Sequence, residues 1–314
     1  MRDGPLLSVK QLSVSFPGTN GEYIHAVRET SLEVFAGEIV AIVGESGCGK
    51  SVVAQAVMRL LPPGTGVSGS VIFDGQDILP VSEEEMEKLR GTRMAMVFQS
   101  PERALNPVLR IGRQLTDPMI LHGLCGQSEA EERARATLAA LGLDAGWVMQ
   151  AYPWMCSGGM CQRVLFAAVS LLQAELVIAD EPTKGLDAER IGDLEEMLAE
   201  IPVGGQMGLL LITHDIGLAA RLAERVLVMY CGMIVEAGRT ADVLTDPVHP
   251  YTRGLLGSLP ENGFHPIPGL SPALSDLPSG CVFHPRCGSA DSTCSRFVPP
   301  VREVCGRQVR CFRC

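Results

Sequence analysis

The 314-residue chain has no run approaching the roughly 18 apolar residues that a membrane-spanning helix requires. Its first residues, Met1-Arg2-Asp3-Gly4-Pro5, lack the apolar stretch of a secretory signal. These two absences predict a soluble, cytosolic chain. Basic charge is in deficit as well: 26 Lys and Arg stand against 36 Asp and Glu, a formal net charge of −10. Without a net positive field to gather phosphate backbones or anionic lipid, a nucleic-acid coat protein is excluded and no nucleic-acid partner is expected. The sequence also lacks an internal repeat and a long coiled-coil pattern.

What is present fits a large fold. With 46% apolar residues the chain can build one large core or two domains. Alternating apolar patterns over Leu12 to Phe16 and Ser31 to Phe35 predict strands, and the unbroken apolar run Ile39 to Val43 predicts a strand buried on both faces. Further buried strands are expected at Leu176 to Ala179 and Leu209 to Ile212, each followed by polar residues, the pattern of a parallel sheet with ligands at its strand ends. Between Pro101 and Pro153 the periodicity turns helical, notably over Glu129 to Leu141, with Ser128 as the expected N-cap and Gly142 as the stop. The fold class is therefore α/β with a helical insert. After about Asp246 prolines and glycines become dense enough to exclude long helices, which marks a loop-rich appendage.

The chemistry starts at Gly44-Glu45-Ser46-Gly47-Cys48-Gly49-Lys50-Ser51, which matches G-x-x-x-x-G-K-[ST] directly after the strand ending at Val43. Such glycines permit a tight loop whose amides face a β-phosphate, Lys50 supplies a cation, and the Ser51 hydroxyl can ligate Mg²⁺. The run Leu176-Val177-Ile178-Ala179-Asp180-Glu181 ends in two carboxylates. Asp180 is the expected Mg²⁺ partner, and Glu181 the general base that polarises the attacking water. Either motif alone admits a bland reading, a chance glycine turn or a solvated strand end; together they indicate an NTPase.

Cys156-Ser157-Gly158-Gly159-Met160-Cys161-Gln162-Arg163 resembles the signature motif of the ABC transporter ATPases. The resemblance implies a P-loop ATPase core with an antiparallel β subdomain and a helical subdomain at about 101–170. It further implies that Ser157, Gly158 and Gly159 open a helix whose amides contact the ATP of a second subunit. It carries Gln99 over as a residue sensing Mg²⁺ and water, Leu186-Asp187 as the loop facing the partner, and His214 as the histidine that contacts the γ-phosphate and orients Glu181. Phe16 fits the adenine platform, with Tyr23 as its rival. Two departures stand out: Cys156 replaces the usual leucine, and Cys161 replaces the usual basic residue, removing a charge. Lys184-Gly185 also departs from the small residues usual before Leu-Asp.

Within that family, Ala104-Leu105-Asn106-Pro107-Val108, His249-Pro250-Tyr251-Thr252-Arg253-Gly254-Leu255-Leu256 and Gly280-Cys281-Val282-Phe283-His284-Pro285-Arg286-Cys287 are similar to the importer ATPases for di- and oligopeptides and for nickel. This implies an ATPase domain over 1–245 and an importer-type extension over 246–314. The implied partners are a second ATPase, often a paralogue, two membrane permease subunits and an extracytoplasmic substrate-binding protein, which would set the chain at the cytoplasmic face of the inner membrane. Nickel or metal-chelate import is the alternative substrate reading, and a redox-sensing ABC ATPase not tied to transport is the alternative of a different class.

Six of the eleven cysteines fall in the last 34 positions. Cys281, Cys287, Cys294 and Cys311 are separated by five, six and sixteen residues, without the paired C-x-x-C of common zinc sites. Zinc, a redox disulfide and free thiols stay open on spacing alone. By resemblance to some peptide-importer ATPases, these four cysteines hold a [4Fe–4S] cluster, with Cys305 and Cys314 as spare ligands.

Overall fold

The structure is a computed structural model that describes residues 4–18, 21–98, 104–184, 188–200 and 207–314. The chain divides into two compact units, one formed by residues 1–79 and 211–314 and the other by residues 80–210.

The first unit begins with β1 (Leu7–Pro17) and β2 (Tyr23–Val34), which pair antiparallel with Val9 opposite Leu32 and Phe16 opposite Ile24. β1 runs beyond its predicted stretch at both ends and β2 begins eight residues before Ser31, though it stops at Val34, one short of the predicted Phe35; cross-strand pairing extends a strand past the residues whose own pattern declares it. Next come β3 (Ile39–Val43), with every residue buried as its apolar run predicts, and α1 (Lys50–Val57). Then β4 (Gly66–Phe73) and β5 (Gln76–Asp77) complete a four-stranded antiparallel sheet in the order β2-β1-β4-β5.

The second unit holds α2 (Glu83–Leu89), β6 (Met94–Val97), α3 (Ile111–Leu121), α4 (Gln127–Ala140), α5 (Ala145–Val148), α6 (Gly158–Leu172), β7 (Leu176–Asp180) and α7 (Ala188–Glu200). Strands β6 and β7 pair in parallel, and a bidentate ion pair between Arg93 and Glu175, at 2.6 and 3.1 Å, ties the residues that precede them. Its helical core is made by Ile111, Leu115, Met119, Ala130, Ala134, Leu138, Val164 and Ala167, which recur at helical spacing on α3, α4 and α6. Helix α4 starts at Gln127 with Gly126 as its N-cap, so Ser128 lies inside the first turn instead of capping it. The Gln127 amide reaches the Glu131 carboxylate and Arg133 reaches Glu129, i to i+4 contacts that carry the helix one residue ahead of its serine. Gly142 does end it: at φ 70 its N–H donates to Ala139 and that of Leu143 to Leu138, a left-handed stop that glycine tolerates best.

The chain returns through β8 (Gly208–Thr213) to the first unit, with α8 (Ile216–Leu222), β9 (Arg225–Tyr230), β10 (Met233–Arg239), α9 (Thr240–Thr245), α10 (Pro250–Gly257), β11 (Arg302–Val304) and β12 (Arg307–Val309). Here β9 runs parallel to β3 and antiparallel to β10. The last two strands form a hairpin that pairs onto β10, Val309 opposite Glu236. The cysteine-bearing tail, loop-rich as its composition predicts, is thus sewn to the sheet that carries β3.

Candidate nucleotide-binding site

In the first unit the loop 44–49 follows β3 directly and delivers Lys50 and Ser51 into the first turn of α1. Glycine is needed at both ends. A Cβ at Gly44 would meet the Met229 carbonyl oxygen at 2.2 Å, and one at Gly49, where φ is 108, would meet that of Ala26 at 2.3 Å. The Cys48 carbonyl accepts from the Gly232 N–H at 2.8 Å, so β9's following turn clamps the loop from outside. Lys50 is buried, and its ammonium donates to the carbonyls of Gly44 at 2.8 Å and Glu45 at 3.1 Å, inside the ring of the loop. Ser46 and Gly47 are exposed at the tip. Cys48 is buried and its thiol is pushed up to about 11 by loss of solvent, only partly offset by the Lys50 ammonium.

Phe16 is half-buried near the end of β1, whereas Tyr23, opposite Pro17, is 59% exposed. His214 is exposed immediately beyond β8, while Thr213 is fully buried, and the Thr213 hydroxyl accepts the Asp215 N–H at 2.9 Å.

In the second unit β7 is buried throughout and ends at Asp180, followed by Glu181, both nearly enclosed. Glu181 adopts φ 49, a left-handed conformation that a glutamate takes only under the constraint of its surroundings. The Lys184 N–H donates to its carbonyl at 3.2 Å, and the Gln162 side-chain amide donates to the carbonyl of Pro182, fixing the turn after the strand. Ser157 is exposed and is the N-cap of α6, its hydroxyl accepting the Met160 N–H at 3.4 Å; Gly158 and Gly159 form the first turn. Cys161 is completely buried, donating its S–H to the Pro153 carbonyl, so an uncharged residue suits this position. Gln99, Gly185, Leu186 and Asp187 lie outside the described residues.

Each unit therefore carries part of the predicted machinery: loop, Phe16 and His214 in one, the carboxylate pair and the Ser157 helix terminus in the other. Residues 27–184 match the family model for the ABC transporter. The chain belongs to the ABC transporter ATPases. Residues 235–294 match a second model, the oligopeptide/dipeptide transporter C-terminal region. The chain is 42% identical over 310 residues to the probable D,D-dipeptide transport ATP-binding protein DdpD of Escherichia coli K12, covering 96% of this chain and 94% of that one. It is 41% identical to the dipeptide transport ATP-binding protein DppD of Bacillus subtilis 168, covering 94% and 90%. Among solved structures, the ATP-binding cassette MJ0796, a dimer in a post-hydrolysis state bound to ADP and Pi, superposes with a TM-score of 0.67 at 26% identity, over 74% of this chain and 98% of that one. This ABC ATPase hydrolyses ATP with Mg²⁺, and no helix among its described residues is long and apolar enough to cross a membrane.

The tail of the ABC ATPase brings together what its sequence scatters. Cys281, Cys287, Cys294 and Cys311 line one cavity with His249, Phe283 and His284. Burial pushes the Cys281 thiol up to about 11, with the other three sulfurs adding to the rise. Cys314 donates its S–H to the Val248 carbonyl at 3.1 Å, and its nearness, with the Arg313 N–H that Cys311 accepts at 3.3 Å, holds the Cys311 thiol below its ordinary range. No three of the described His, Cys, Asp or Glu side chains are gathered closely enough to hold a single metal ion. The sequence alone assigns no role to Arg286 or Tyr251, yet both reach the phosphate loop. The Arg286 guanidinium pairs with the Glu45 carboxylate at 3.0 and 3.1 Å, and the Glu45 N–H donates to the Tyr251 hydroxyl at 3.1 Å. The only signal in the sequence was that Tyr251 and Arg286 stand inside two of the three importer-type segments.

Proposed function

We propose that this ABC ATPase powers the uptake of di- and oligopeptides, with an ATPase domain over 1–245 and an importer-type extension over 246–314. The observation that carries the reading is the match of residues 235–294 to the oligopeptide/dipeptide transporter C-terminal region, on a chain whose curated relatives are dipeptide transport ATP-binding proteins over nearly their full length.

In this reading Lys50 and the loop amides hold the phosphates, Ser51, Asp180 and Gln99 serve Mg²⁺, and Phe16 supports the adenine. Glu181 takes the proton of the attacking water, and His214 orients it. Ser157, Gly158 and Gly159 serve the nucleotide of a second ATPase subunit, a paralogue or a copy of this chain. Two permease subunits and an extracytoplasmic binding protein supply the path and the peptide, which sets the chain at the cytoplasmic face of the inner membrane.

Four cysteines around one cavity also support a [4Fe–4S] cluster. Anaerobically purified chain is expected to be brown with roughly four iron and four sulfide per chain; colourless, iron-free protein would refute the cluster.

The function is tested by uptake of a labelled dipeptide, with nickel as a parallel substrate, in cells lacking the gene and complemented with wild type or Glu181→Gln. Wild type restores peptide uptake and Glu181→Gln does not, its hydrolysis falling by roughly 10²-fold or more while ATP stays bound. Loss of nickel uptake alone would overturn the peptide reading, and full hydrolysis by Glu181→Gln would overturn the assignment of the base.

A further inference from the structure

The phosphate loop contains a carboxylate at the place where a polyphosphate is to be bound. Glu45 is the second residue of the loop, its carbonyl accepts from Lys50, and its side chain is only partly exposed. An unpaired carboxylate there would repel the nucleotide. The partner that neutralises it comes from the extension. Arg286 is nearly enclosed, donates two hydrogen bonds to Glu45, donates to the Pro268 carbonyl at 3.1 Å and to the Tyr230 hydroxyl at 3.3 Å, and lies over the Tyr230 ring at 5.8 Å. A guanidinium held on that many sides is fixed in place before it meets Glu45.

The backbone of the same loop residue is fixed by the same region. The Glu45 N–H donates to Tyr251, whose ring packs on Tyr230 at 4.5 Å and on Phe283 at 5.4 Å, with Tyr230 and Phe283 edge-to-face at 5.3 Å. Phe283 and Arg286 both lie between Cys281 and Cys287. We infer that Arg286 is a positioning residue for ATP: together with Tyr251 it makes the C-terminal extension a brace that neutralises and orients Glu45, so that the extension sets the affinity of the phosphate loop for nucleotide. The inference rests on residues 44–51 being the ATP-binding loop, and the Lys50→Ala variant tests that premise separately.

The experiment measures the Kd of a fluorescent ATP analogue, the KM and kcat for ATP, and the melting temperature of full-length wild type, Arg286→Ala, Arg286→Lys, Glu45→Gln, Glu45→Gln with Arg286→Ala, and Lys50→Ala. Arg286→Ala is expected to raise Kd and KM by at least roughly tenfold, because the loop is then left with one uncompensated negative charge, with kcat changed far less. Arg286→Lys recovers part of that loss, since it restores the charge without the Nε–H that holds the guanidinium on the Pro268 carbonyl. The double variant, with the unpaired carboxylate gone, binds ATP more tightly than Arg286→Ala alone, a coupling that general damage to the fold does not produce. Unchanged Kd in Arg286→Ala would overturn the inference, and so would a double variant no better than the single one. Normal binding by Lys50→Ala would instead overturn the assignment of the loop itself.

Discussion

Replacing Arg307 with methionine takes the cation away from a carboxylate that water does not reach. Glu236 has no exposed surface, Arg307 is 5% exposed, and the two are 3.5 Å apart. Glu236 also accepts the N–H groups of Val248 and His249, each at 2.9 Å, while the guanidinium donates to the carbonyls of Asp242, at 3.0 Å, and Asp246. This knot joins the β12 hairpin, β10 and the start of α10, and so holds the extension on its sheet. Removing one partner of a buried pair costs about 3–5 kcal/mol, and the two N–H donors left to Glu236 put this case at the lower end, about 3 kcal/mol. Methionine keeps the stem that packs against Gly238, so the cost reports charge more than volume. For a unit of this size each kcal/mol lowers Tm by roughly 2–4 °C, which gives a fall of roughly 6–12 °C by calorimetry. Urea unfolding should show a lower midpoint at unchanged slope. Adding Glu236→Gln to Arg307→Met recovers part of the loss, because no buried charge is then left without its counterion. A change in Tm below about 2 °C for Arg307→Met would refute the reasoning.

The loop glycines give a paired prediction. Gly49→Ala forces a Cβ into the Ala26 carbonyl and is expected to raise the Kd for ATP by at least roughly tenfold, whereas Gly47→Ala, with nothing within 4 Å of its Cβ, pays only the left-handed strain of about 1–2 kcal/mol. Equal effects of the two by titration calorimetry would contradict the packing argument. Cys48 gives a pH prediction. Its thiol stays protonated until about pH 11, so maleimide inactivation of hydrolysis that depends on Cys48 is slow at pH 7 and rises about tenfold per pH unit from 7 to 10. The dependence is read as the difference between wild type and Cys48→Ser; rapid Cys48-dependent loss at pH 7 would show that the thiol is not buried as described.

How much was legible in the sequence varies with the range of the interaction. The strand Ile39 to Val43, the loop behind it, the strand ending in Asp180-Glu181 and the helix opened by Ser157-Gly158-Gly159 could all be read, because each is a run of neighbouring residues whose pattern and chemistry act locally. The start of α4 lies two residues before the expected one, since Gln127 and Glu131 outweigh the serine as a start signal. The left-handed backbone of Glu181 could not be read at all: nothing in the residue type calls for φ 49, which the packing of the following turn imposes.

The longer connections belong to the tertiary structure alone. Arg286 and Glu45 are 241 positions apart, and Tyr251 and Glu45 206. Neither pair has a local pattern to announce it, and Arg286 could have met any of 36 acidic side chains. By itself the sequence determined that this is an ABC ATPase, since phosphate binding, the carboxylate pair and the signature each need only a few adjacent residues. Only the fold decided that the cysteine-bearing tail is sewn to the sheet and braces the phosphate loop, because a salt bridge is chosen by which side chains the packed chain brings together in space.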